Sequence, residues 1–266
     1  MTIDQRGSTG AQDLVPDLLA RISALQLPGT AKPVFERTVG DEVQGVVPDA
    51  SAVVEIALHA LRVGRWYVGI GVGTVSLAPG ASPREGTGTA FVAARKAVEL
   101  AKAAGPQVPL SVVPGIMAKT GGGVPAGEGS QACANAEAVL RLLGRLVQDR
   151  TEAQWRVVDA LRRLDGGRPG SDRPGSDRLA SRGQGPGRHG SQKQVALELG
   201  ISEQSVSRTV LRSGWQEEWA ARPAASMLLG LADSQVVHAL QDGARQESGG
   251  HNKDDQNTDN PDKGDR

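Results

Sequence analysis

An α+β fold in two parts is what this sequence predicts, and three observations carry it. Up to residue 149 the apolar pattern alternates between strand-like and helix-like periods. "QKQVALELGISEQSVSRTVL", residues 192–211, has the spacing of two helices crossing at a tight turn. Between these parts lies "DGGRPGSDRPGSDRLASRGQGPGRHG", residues 165–190, almost without large apolar side chains.

The elements follow in chain order. "MTID" reads as a short first strand. "DLVPDLLARISALQL" repeats Leu14, Leu18, Leu19, Ile22 and Leu25 at helical spacing. "FERTVGDEVQGVV" is a hairpin with Gly40, Asp41 and Glu42 at its tip. "DASAVVEIALHALRVG" opens on an Asp or Ser cap and ends at Gly64. "RWYVGIGVGTVSL" is a strand buried on at least one face. "REGTGTAFVAARKAVELAKAAG" is a helix stopped by Gly105 and Pro106, and "VPLSVVP" is a last strand. The order is read as β-α-β-β-α-β, a ferredoxin-like domain over residues 1–149. Its sheet is mixed and its helices lie on one face.

Residues 114–134 are glycine-rich and aperiodic, a loop. "NAEAVLRLLGRLVQ" is amphipathic through Val139, Leu140, Leu143, Leu146 and Val147. Residues 150–164 form a connecting helix that also reads as the first helix of the next domain. Thr151 caps it, and Trp155, Val158 and Leu161 pack. Residues 165–190, with the tandem RPGSD repeat, cannot bury enough surface to offset their ordering entropy and read as a disordered linker. Residues 191–240 form an all-α helix-turn-helix domain. Residues 241–266 form a disordered tail on the same grounds.

Bulk numbers exclude several classes. Thirty basic and thirty acidic side chains cancel, so any nucleic-acid site is a local patch. One cysteine, Cys133, excludes an intrachain disulfide framework and suits a reducing compartment. No apolar run reaches the roughly 18–20 residues of a membrane span. Asp4 and Arg6 stand where a signal peptide needs an apolar core. A cytoplasmic protein with no membrane partner is expected.

The helix-turn-helix pattern is the most specific motif. Ala196 is small where the second helix crosses the first. Gly200, four residues on, tolerates the turn. Val206, six further, faces the core, and Val195, Leu199, Ile201 and Val210 complete an apolar wedge. Ser202 caps the second helix. A plain helical hairpin is the competing reading. If the unit binds DNA, Ser202, Glu203, Gln204, Ser207 and Arg208 face the base edges. Gln204 suits adenine and Arg208 suits guanine or phosphate. Gln192, Lys193 and Arg212 are phosphate contacts. The segment is only mildly basic, so a homodimer on two half-sites is expected.

The hairpin tip admits two readings. A Gly-Asp turn is ordinarily just solvated. Yet Asp4 ends a strand that neighbours the hairpin, so Asp4 and Asp41 can face one cation, and two carboxylates plus phosphate oxygens suit Mg²⁺ or Mn²⁺. "TIDQRGS", "FERTVGDEVQGVV", "GRWYVGIGVG" and "REGTGTAFVAARKAVE" together resemble the actinobacterial SatD-like family, in which an α/β domain precedes a helix-turn-helix. More distantly, that domain resembles class III nucleotide cyclases and GGDEF proteins. The resemblance implies a nucleotide-cyclase-like fold and a metal pair at Asp4 and Asp41 with Glu42 beside them. It also implies a nucleotide ligand with Mg²⁺. Two positions depart from the pattern. Phe91 stands where cyclases place a transition-state Asn four residues before Arg95, and Val39 replaces the first glycine of GGDEF. No catalytic residue is assigned.

Gly69, Gly71 and Gly73 lie within a strand and read as sites of close backbone approach, not as a dinucleotide loop. Ala118 breaks a phosphate-loop reading of Lys119-Thr120. His59, His189 and His238 share no metal-ligand spacing. The leading expectation is a DNA-binding transcriptional regulator whose first domain senses a ligand or dimerises. The alternative is a metal-dependent nucleotidyl-transfer or cyclase-like enzyme with a helix-turn-helix adaptor.

Overall fold

A computed structural model describes residues 1–27, 33–115, 127–164 and 187–250. The architecture is mixed α+β, with one five-stranded sheet and eight α-helices among the described residues. The strands are β1 (Thr2–Gln5), β2 (Phe35–Arg37), β3 (Glu42–Gly45), β4 (Trp66–Val72) and β5 (Leu110–Pro114). Their spatial order is β2-β3-β1-β4-β5. Although β1 has only four residues, it is central and antiparallel to both β3 and β4. β4 and β5 are parallel, joined through helix α3 (Thr89–Lys102).

The hairpin forms because Gly40 takes a left-handed φ of 63° at the tip, where the Thr38 amide donates to the Glu42 carbonyl. α1 (Val15–Ala24) and α2 (Ala50–Val63) bury the apolar stripes that their spacing predicts. Asp49 caps α2 by accepting from the Ala52 amide, and Gly64 ends it at φ 70°.

The helices do not all lie on one face. Gly69 and Gly71 of β4 face α3. Val68, Ile70 and Val72 alternate to the other side and join the main core with residues of α1 and α2. A Cβ on Gly71 would lie 2.2 Å from backbone atoms of Ala90 and Ala94. One on Gly69 would lie 2.4 Å from the Val98 nitrogen. These glycines therefore let a helix backbone rest directly on the strand.

Beyond the sheet, α4 (Glu128–Gln148) starts earlier than its apolar period suggests, inside the expected loop. Its first turns carry small residues, of which Ala132, Cys133 and Ala136 are buried. A Cβ on Gly129 would press on Val236 of α8 (Trp215–Gly250). Helix-to-helix packing, not periodicity, sets this segment. Burial pushes the Cys133 thiol up to about 12, as befits an inert packing group.

α8 corrects the expected boundaries. It runs through residues 241–250, where a tail was expected, and Ala225, Leu229, Ala232 and Val236 bury in the main core. The second core is smaller. It joins α5 (Glu152–Leu164), α6 (Gly187–Leu199), α7 (Glu203–Arg212) and Trp215 through Val157, Val158, Leu161, Val195, Ala196, Val206 and Val210. Since α6 starts at Gly187, the expected linker ends sooner. Its residues 165–186 and the tail residues 251–266 lie outside the described residues.

Candidate functional site

The turn between α6 and α7 is built by three residues. Gly200 has φ 65°, which a side chain would strain. The Ile201 amide reaches back to the Ala196 carbonyl at 3.0 Å. Ser202 caps α7, its Oγ accepting from the Ser205 amide. Val206 and Val210 fill the second core. The next positions around α7 therefore face solvent, and Ser202, Glu203, Gln204, Ser207, Arg208 and Arg212 are all exposed. Lys193 on α6 is exposed and Gln192 half-buried. One expected core residue is displaced: Ile201 is 39% exposed and does not join the wedge, because it sits on the turn itself.

The carboxylate corner sits at the opposite end of the molecule's logic. β-Pairing places Asp4 opposite Glu42, with Asp41 one residue away. The cation found there belongs to the protein. Lys102 Nζ, from the last turn of α3, lies 3.0 Å from Asp4 Oδ2 and 3.0 Å from Glu99. Glu42 accepts from Thr38 Oγ1 at 2.7 Å. Burial raises the Asp4 pKa. The hydrogen bond and charge of Lys102 oppose that rise, and Asp41 and Glu42 add to it. Burial works against the Lys102 ammonium, yet its bonds to Glu99 and Asp4 outweigh that and hold its pKa above the ordinary value. Asp4 and Glu42 are thus engaged by the protein's own groups. A divalent ion at Asp4 would have to displace the Lys102 ammonium. Among the described residues, no group of three or more His, Cys, Asp or Glu is arranged to hold a metal.

Phe91 and Arg95 lie far from this corner. Helical rise puts Phe91 about 16 Å and Arg95 about 10 Å up α3 from Lys102. Phe91 instead packs over Gly86 and lines a cavity of about 330 Å³ at the other end of the sheet. Ile70, Val72, Val53 and Leu229 give that cavity an apolar wall, with Gln44 and Asp233 as its polar points.

Sequence reasoning missed a charged joint between the two cores. Arg150, at the α4–α5 junction, and Glu218 of α8 are 2.9 Å apart, with side chains 1% and 0% exposed. Arg222, one turn along α8, pairs with Glu218 and with Glu55 of α2. Arg150 also donates to the Ser213 carbonyl at 2.8 Å. Only the four-residue spacing of Glu218 and Arg222 is visible in one dimension. Compared with protein-family models, curated proteins and solved structures, this chain finds no match.

Proposed function

We propose that the protein is a DNA-binding transcriptional regulator of the SatD-like type. In this reading α6 and α7 form a helix-turn-helix, and α7 enters the major groove. The observation that supports it is the split face of α7. Val206 and Val210 anchor it in the second core, while Gln204, Ser207 and Arg208 are exposed. Gln204 and Arg208 are side chains that can read adenine and guanine bidentately. Glu203 lies beside them, so one copy binds weakly and a homodimer on two half-sites is part of the proposal.

The first domain is proposed to be ferredoxin-like, on the strength of the antiparallel order β2-β3-β1-β4 with α1 and α2 on one face. Its role is sensing or dimerisation. Turnover of a nucleotide is the weaker reading, because Lys102 holds Asp4 and Phe91 faces the far cavity.

The test is selection of bound genomic fragments by the purified full chain, followed by anisotropy titration. Arg208→Ala should weaken the selected site by about 1–3 kcal/mol and relax one base position. Lys193→Ala should weaken all sequences alike and flatten the salt dependence. Failure to enrich any fragment at low salt would sink the proposal.

A further inference from the structure

A cleft of about 670 Å³ lies between the sheet domain and the helical unit. Arg21 of α1, His59 and Arg62 of α2, and Asp159, Arg162 and Arg163 of α5 line it. Four arginines thus meet one aspartate. Asp159 is committed to Arg62 through two hydrogen bonds, at 2.8 and 2.6 Å. Arg21 and Arg163 have exposed partners at the rim, Asp17 and Glu198. Arg162 has no ion pair or hydrogen bond among the described residues. Its guanidinium lies 5.4 Å from the Trp219 ring.

Like charges gathered in one concave, partly desolvated site repel, and that cost falls when an anion joins them. Burial lowers the Arg162 pKa, and Arg222 lowers it further. Burial first, then Arg62, Arg21 and Arg162, push the His59 pKa down to about 4, against a small opposing pull from Asp17. His59 Nε2 is buried with no hydrogen-bond partner. The imidazole is therefore neutral at pH 7.

We propose that this cleft binds a small phosphate-bearing molecule, with Arg162 as its principal ligand and Arg21 as a second. Guanidinium forks match phosphate oxygens bidentately, and the cleft has room for a nucleotide-sized molecule. The site does not depend on DNA binding. If the helical unit does read DNA, a ligand here bridges the sheet domain to α5, which packs on α6 and α7.

The experiment follows the His59 imidazole by NMR in the full chain while pyrophosphate is added at constant ionic strength. Bound anion should move the His59 resonances and raise the His59 pKa from about 4. A saturable shift is expected. Arg162→Gln should weaken it about tenfold or more. Arg21→Gln, a change at an exposed side chain, should weaken it less and serves if Arg162→Gln does not fold. The proposal is overturned if no saturable shift appears, if chloride reproduces it, or if neither substitution alters the midpoint. None of these outcomes touches DNA affinity, so the two proposals fail separately.

Discussion

Two interfaces hold this molecule together by opposite means. α3 meets the sheet through bare backbone: Gly69 and Gly71 leave no side chain between strand and helix. The joint between the two cores is made of charge: Arg150, Glu218, Arg222 and Glu55 interlock where α2, α8 and the α4–α5 junction converge. The first interface depends on shape and should ignore salt and pH. The second depends on each charge finding its partner, because a buried ion left alone is costly. Shape complementarity fixes a helix unconditionally. A charged joint can be loosened by removing a single group.

The largest expected effect is at the joint. Glu218→Gln leaves Arg150 and Arg222 both short of their shared carboxylate. A loss of about 3–5 kcal/mol is expected by denaturant titration. A loss under 1 kcal/mol, about what an exposed pair contributes, would show that water compensates these charges.

Gly71→Ala comes next. Its Cβ would meet backbone atoms at 2.2 Å, which no rotamer change relieves. An overpacking loss of about 1–3 kcal/mol or more is expected, equal at low and high salt. Salt dependence of that loss would show that charge also holds α3 on the sheet.

Lys102→Met tests the place where charge meets the glycine interface. It removes the cation beside the buried Asp4 carboxylate, so about 1–2 kcal/mol should be lost at neutral pH. The Asp4 pKa is already raised by burial and should rise further. A raised folded-state pKa stabilises the protein while the group is protonated, and that stability is lost as pH rises through it. The variant should therefore recover as pH falls, and Asp4→Asn should rescue it at neutral pH. Absence of rescue would mean that Lys102 acts through Glu99 instead.

The smallest effect is expected from Asp159→Asn. Its pair with Arg62 is about one-third exposed on both sides. A loss of roughly 0.5–1 kcal/mol is expected, shrinking as salt is added.

What one dimension could reveal was local. The alternating and helical periods located the five strands and the three α-helices of the first 115 residues, though not the short 3-10 turn at Pro83–Glu85. The spacing of Ala196, Gly200 and Val206 located the α6–α7 turn. In-strand glycines read as close-approach sites because a missing Cβ has few other uses. Non-local matters were hidden. α4 was missed at its start because small residues pack helices without any apolar period. α8 starts within the all-α domain expected over residues 191–240, yet its Leu229 and Val236 bury in the first core.

The carboxylate corner shows the same division. The hairpin tip and Asp4 were visible as neighbours, since strand pairing follows from the order of elements. That Lys102 occupies the space between Asp4 and Glu99 was not, because it follows from how far α3 runs before it ends. Sequence by itself determined the alternation of elements, the caps and the turns, which depend on residues a few positions apart. Tertiary structure alone decided which charges meet, since Glu55 and Arg222 are joined by packing across most of the chain. Ion pairing depends on distance and burial, and neither is written in local spacing.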